Sequence, residues 1–304
     1  MSGLTRFPHG IQASPIVGAG NNFTTGNVFF VDDSGSDSND GKSPSTPFKT
    51  LDYAIGRCTA SQGDTIYVMP GHAETGGTTP ITCDVAGISI IGLGYGRMRP
   101  AITGHASQAA DVITITGAST HIENIRVVNG AAGTTALINI AASDVVVKNC
   151  VLEHGAVPLS AITVASGDRW VIDGCRFVGT AANPDYCVSV EAHCCDWIVQ
   201  NCTASYVASA GLDLGFVFGG ADKAQPGGMV INNYVLGCDT LFLDINSSDN
   251  AQGEGLVANN FIGMGAAVTS IEDILDLGGW MSVGNLATDL STVAGATVPI
   301  VTSS

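Results

Sequence analysis

Apolar and polar residues alternate in short runs along most of the chain. Ile88 and Ile90, Val145 and Val147, Trp170 and Ile172, Trp197 and Val199, Met229 and Ile231, and Met281 and Val283 each form a pair two apart. That is the period of a strand with one buried face. The runs close on a series of Asn or Gly markers: Gly92, Asn124, Asn149, Gly174, Asn201, Asn233, Asn260 and Asn285, spaced by 32, 25, 25, 27, 32, 27 and 25 residues. After the marker the parity slips by one, as in Ile125 and Val127, Cys150 and Leu152, Cys175 and Phe177, and Tyr234 and Leu236. Asn and Gly tolerate a left-handed backbone, so a one-residue corner is expected at each marker.

A second strand pattern falls between markers: Ile113 and Ile115, Ile138 and Ile140, Ile162 and Val164, Val188 and Val190, then less regularly Leu241 to Ile245. Repetition at this period signals a solenoid. The pattern predicts an all-β parallel stack of about eight coils with two or three strands each. At a strand spacing of about 4.8 Å the stack is roughly 40 Å tall. Cys150, Cys175 and Cys202 each follow a marker and are expected to stack inside as small hydrophobes. Trp170 and Trp197 take inward parity, while Trp280 has no assigned side.

The ends differ from the coils. Thr46 as N-cap, Pro47 at the first position and Phe48, Leu51 and Ile55 on one face predict a helix near 47–57 covering the open end of the first coil. Residues 1–26 have no period and read as an extended arm. The rod is expected over 27–285. Residues 286–304, uncharged after Asp289, read as a tail suited to covering an edge or contacting a subunit.

Composition narrows the partners. The chain has 304 residues with 27 Asp and Glu against 11 Lys and Arg, a formal charge of −16. That excess disfavours nucleic acid and anionic membrane surfaces, although solubility is the simpler account of it. No apolar run reaches membrane-spanning length and no N-terminal signal pattern stands out, so folding in a cytoplasm is expected. Nine cysteines, an odd number in a chain this large, do not read as a disulfide framework.

Several residues carry candidate chemistry. The stretch Asp32 to Gly41 has four Asp and one Asn, a supply of oxygen ligands for calcium; the same residues are also ordinary turn formers. His193, Cys194 and Cys195 form a small cluster without zinc-ligand spacing. Asp173, Asp196, Asp213 and Asp244 lie near strands of successive coils, where two carboxylates could face one cleft as glycosidic chemistry requires. His72, beside Gly71, reads as structural because no nucleophile motif accompanies it. No catalytic, cofactor-binding or metal-binding residue is assigned, and no cofactor is expected.

Residues 27–304 resemble the right-handed parallel β-helix superfamily that includes pectate lyases and phage tailspikes. The resemblance rests on the coils and on NVFFVDDSGSDSNDGKSPSTPFKTLDYAI (27–55), similar to that group's extended strand, turn and capping helix. The calcium-binding Asp clusters and paired Asp motifs of pectin-active members find no residue-by-residue match here, which counts against an enzyme. Thr5-Arg6-Phe7-Pro8-His9-Gly10 resembles the N-terminal arms of phage virion proteins, especially head decoration proteins. The resemblance implies a capsid decoration or cement protein on the virion surface, made in a host cytoplasm, bound to the major capsid protein and assembled as a homotrimer. The alternative it implies is a tailspike or tail-fibre module that binds or cleaves a surface polysaccharide.

Overall fold

The computed structural model describes residues 26–107, 110–130, 134–154, 160–179, 186–205, 215–220, 225–238, 241–245, 254–264, 275–276, 280–289 and 295–297. Three strands recur in a fixed order, and each pairs in parallel with its counterpart one coil on. The first set is Thr65–Val68, Ala73–Thr75 and Ile81–Cys83. Stacking yields a ten-stranded sheet A, a ten-stranded sheet B and an eight-stranded sheet C, the three walls of a prism. The register is direct: Val147 sits over Ile122 and under Ile172, and Leu152 over Val127 and under Phe177. Among the described strands only Gly295–Thr297 runs antiparallel, on Leu286–Asp289 of sheet B.

Two left-handed corners bound each strand of sheet A from His121–Glu123 to Met229–Ile231. The corner from sheet A to sheet B has positive φ at Asn124, Asn149, Gly174, Asn201, Asn232, Asn259 and Gly284. Five residues earlier, Ser119, Asp144, Arg169, Asp196 and Gly227 make the corner from sheet C to sheet A. Sequence reading misses the second corner because Ser, Asp, Arg and Gly share no signature.

Three markers need correction. The bend lies at Asn232, Asn259 and Gly284, not at Asn233, Asn260 and Asn285. The latter three are buried and form a ladder: the side-chain oxygens of Asn233, Asn260 and Asn285 accept the backbone N–H of Cys202, Asn233 and Asn260, each at 2.9 Å. Their amide nitrogens donate to the carbonyls of Val199, Val230 and Val257. In the coils below, the same column holds Ile125, Cys150, Cys175 and Cys202, all buried. The shift of one reverses parity, so Val230 and Ser282 point inward while Met281, Val283 and Tyr234 are exposed. Gly92 is no left-handed corner either. A Cβ there would meet the Asn124 carbonyl oxygen, so glycine is needed for close approach.

The interior fills with one side chain per inward position. Trp170 stacks on Trp197 with ring centroids 4.7 Å apart and planes 10° from parallel. Above them the column continues with Gly228 and Gly255, and the buried Trp280 lies back across both to within 5.4 Å of Trp197. A Cβ on Gly228 would fall 2.3 Å from the Trp280 ring, and one on Gly255 2.2 Å from it. The thiols of the cysteine stack donate to carbonyls of neighbouring strands, for example Cys202 to Gln200 at 3.1 Å. Hydrogen bonding with Cys175, then burial, holds the Cys150 thiol well above its ordinary range.

The capping helix is shorter than expected, Leu51–Ile55, with Leu51, Ala54 and Ile55 buried. Pro47 and Phe48 cannot join it. Phe48 N–H donates to Phe30 O and Phe48 O accepts from Asp32 N–H, an extended bridge beside Val31. The first-turn N–H of Leu51 is met by the Glu74 carboxylate at 2.9 Å, while the Thr46 hydroxyl donates to Asp40. Residues 1–25 of the expected arm, and much of the expected tail, lie outside the described residues.

Candidate functional site

The corner from sheet A to sheet B is concave outward and repeats along the rod, so the outer residues of the two sheets line one groove. Over the earlier coils its volume is about 1210 Å³. Glu123 and Lys148 line it from sheet A, Arg126, Val151, Glu153, Arg176 and Val178 from sheet B. Arg126, Val151 and Arg176 occupy one outward column, placing the two arginines two coils apart, about 10 Å.

One end is overhung by the loop from Leu93 to Pro100. Asn124, a corner residue, fastens that loop by donating to Gly92 O (2.7 Å) and Gly94 O (3.0 Å). Gly94, at φ 100°, supplies the turn. The loop presents Tyr95, 83% exposed, at the rim and Arg99 in the groove. The Arg99 Nε is buried and has no hydrogen-bond partner among the described residues.

Four basic side chains, Arg99, Arg126, Lys148 and Arg176, line this groove against two acidic ones, Glu123 and Glu153. The whole chain has only 11 basic residues and a formal charge of −16. Both carboxylates are engaged. Glu153 accepts from Arg126 Nε (2.9 Å) and Nη2 (2.6 Å). Glu123 accepts from Asn149 Nδ2 (3.2 Å) and lies 3.3 Å from His121 Nε2. Burial lowers the His121 pKa, against the opposing pull of Glu123. The site therefore offers cations and an aromatic rim, with its acids already committed.

The residues singled out from sequence are not brought together. Asp173 lies on sheet A and accepts from Asn201 Nδ2 (2.8 Å), Asp196 is a corner residue, and Asp244 lies on sheet C. Three different places on the prism leave no shared cleft for them, and Asp213 lies outside the described residues. In the acidic turn the carboxylates hold the turn itself: Asp32 accepts from Ser34 N–H, and Asp37 from the N–H groups of Lys49 and Thr50. The Thr46 hydroxyl keeps Asp40 below the usual carboxylate range. Among the described residues no group of three or more His, Cys, Asp or Glu is placed to hold a metal ion. Cys194 is buried, which pushes its thiol up to about 11, and Cys195 N–H donates to Asp168. His72 is buried beside Glu74 at 3.2 Å, a structural placement. Sequence reading missed the groove, although Arg126 and Arg176 fall at the same offset from Asn124 and Gly174.

Solved structures similar to this chain share its architecture. An alginate lyase from Paenibacillus sp. str. FPU-7 matches at 15% identity over 78% of this chain and 92% of its own, with a TM-score of 0.53. Pectate lyase Pel9A matches at 15% identity over 87% of this chain and 78% of its own, TM-score 0.54. The pectin methylesterase from Aspergillus niger matches at 14% identity over 90% and 92%, TM-score 0.50. The fold is a right-handed parallel β-helix. No family model matches the sequence, and no curated protein matches it. At such identities the likeness extends to the β-helix alone, and the groove's chemistry belongs to this chain.

Proposed function

We propose that this β-helix is a polysaccharide-binding module, of the tailspike or tail-fibre kind, which holds an anionic glycan along the corner groove. The observation that carries this reading is the gathering of Arg99, Lys148 and Arg176, beside the Glu153-paired Arg126, in one channel of an otherwise acidic protein. A straight groove spanning several coils suits an extended polymer. Arginine forks suit carboxylate or sulfate groups. Tyr95 at the rim offers a flat apolar face to a sugar ring. The surrounding negative charge repels duplex nucleic acid, with a charge about every 1.7 Å, more than a uronate chain with one carboxylate per sugar. Alginate and pectate lyases, named for polysaccharides, share the fold. The capsid-decoration reading depends on residues 1–26, of which 1–25 lie outside the described residues, and no observed feature favours it.

Calorimetric titration tests the proposal with uronate oligosaccharides against a neutral glucan of equal length. The uronate is expected to bind with an affinity that falls with salt. Arg176→Ala and Lys148→Ala are each expected to weaken it about tenfold, the loss of one charge-assisted hydrogen bond. Equal binding of the neutral glucan, or no response to either substitution, would sink the reading.

A further inference from the structure

The corner groove does not end with its cations. The outward columns that carry Lys148 and Arg176 run on up the rod and change character. On sheet A the column continues as Asp173, Gln200, Ile231, Ala258 and Val283. On sheet B it continues as Thr203, Tyr234, Phe261 and Leu286. From Gln200 and Thr203 upward neither column holds a charge, in a chain whose formal charge is −16. Four of the seven exposed large apolar residues stand on or beside this stretch: Tyr234, Met281, Val283 and Leu286. Tyr234 stacks on Phe261, with ring centroids 4.8 Å apart and planes 9° from parallel.

The corner residues change in step. In the lower coils their side-chain amides are used within the wall: Nδ2 of Asn124 donates to Gly92 O, that of Asn149 to Glu123 and that of Asn201 to Asp173. Asn232 and Asn259 take the same left-handed bend and are exposed. Among the described residues none accepts a hydrogen bond from their Nδ2. Each of these two amides lies between an apolar residue of sheet A and an aromatic ring of sheet B: Ile231 and Tyr234 for Asn232, Ala258 and Phe261 for Asn259. An N–H donor between apolar walls matches an acetyl group, whose methyl packs against carbon while its carbonyl accepts the hydrogen bond. A plain hydroxyl offers nothing to the walls, and a deoxy methyl offers nothing to the amide.

We propose that the upper groove binds acetyl-bearing sugars of the same glycan whose acids meet Lys148 and Arg176, an inference that rests on the polysaccharide reading. The spacing suits one continuous chain. Tyr234 lies two coils above Arg176, about 10 Å, and a sugar in an extended chain advances about one coil spacing, about 5 Å. The acetyl groups therefore fall on the second and third sugars beyond the acid held by Arg176. A second copy of the chain fits less well. The apolar strip is about 15 Å tall and about as wide, roughly 200 Å², whereas a stable interface takes about 800 Å² from each partner.

Calorimetry separates the two halves of the groove. The probes are a uronate trisaccharide alone, and hexasaccharides that join it, in either order, to three N-acetylglucosamine or three glucose residues. In one order the acetylated probe is expected to bind about tenfold tighter than the glucose probe, the worth of one hydrogen bond and a buried methyl. Tyr234→Ala and Asn232→Asp are each expected to bring that ratio to one; aspartate tolerates the left-handed bend and lacks the donor. Arg176→Ala is expected to weaken both hexasaccharides equally and leave the ratio. O-acetylated glucose in place of N-acetylglucosamine tells an ester from an amide, and a gain with either supports the assignment. Equal binding of acetylated and glucose probes in both orders, with the trisaccharide still bound, overturns this inference and leaves the polysaccharide reading standing. A trisaccharide that does not bind overturns both. A dimer in sedimentation that Tyr234→Ala dissolves gives the strip to a second copy and overturns the inference as well.

Discussion

Gly255 lies under the Trp280 ring with no room for a methyl group. Gly255→Ala is therefore expected to cost about 1–3 kcal/mol through overpacking. Chemical denaturation followed by tryptophan fluorescence measures the loss and registers displacement of Trp280 from Trp197. His154 gives a pH effect. It is buried at the end of a sheet B strand, and burial depresses its pKa to about 4 from 6.5. Between those values the unfolded chain binds a proton that the folded chain refuses, so stability falls as pH drops from about 6.5 to 4. The full effect is on the order of 3 kcal/mol, and His154→Leu is expected to flatten that part of the curve of melting temperature against pH. Neither residue was marked in the sequence. Burial of Trp170 and Trp197 followed from strand parity, whereas the side of Trp280 depended on two glycines whose emptiness only packing reveals.

The corners from sheet A to sheet B use asparagine in two ways. Asn124, Asn149, Asn201, Asn232 and Asn259 take the left-handed bend, and Asn233, Asn260 and Asn285 bond inside the wall. Asn260→Ala would strand the buried N–H of Asn233 and the carbonyl of Val230. A loss of roughly 2–4 kcal/mol is expected, measurable by urea denaturation. Asn259→Ala removes a side chain from an exposed bend and should cost less, about 1–2 kcal/mol of left-handed strain. The sequence reading treated both roles as one marker. In Asn232-Asn233 and Asn259-Asn260 the bending and bonding residues are adjacent and identical, so composition cannot say which one turns. Alternation did locate sheet C and the lower coils of sheet A, because there β-branched residues fill most inward positions. The upper coils misled it: Met229, Ile231, Met281 and Val283 keep the alternating pattern but face outward.

Across the whole molecule, a formal charge of −16 coexists with a groove lined by more cations than anions. Net charge read from sequence concealed that groove because stacking brings together residues that lie a coil or more apart along the chain. The β-helix was legible from the repeat, while the site depended on the outward register of the same repeat. The tryptophan that leans across two glycine coils has a consequence for how the rod comes apart. A solenoid in which every coil touches only its neighbours frays from its end one coil at a time. Trp280 ties the last coil to the Trp197 coil three layers below, so the upper coils should open as one cooperative unit. Native-state hydrogen exchange should give one shared opening free energy for the amides of Ile198–Gln200, Met229–Ile231, Leu256–Ala258 and Met281–Val283, and Trp280→Ala should split it into a graded series. A graded series already present in the unaltered protein would show that the rod unzips coil by coil despite this tie.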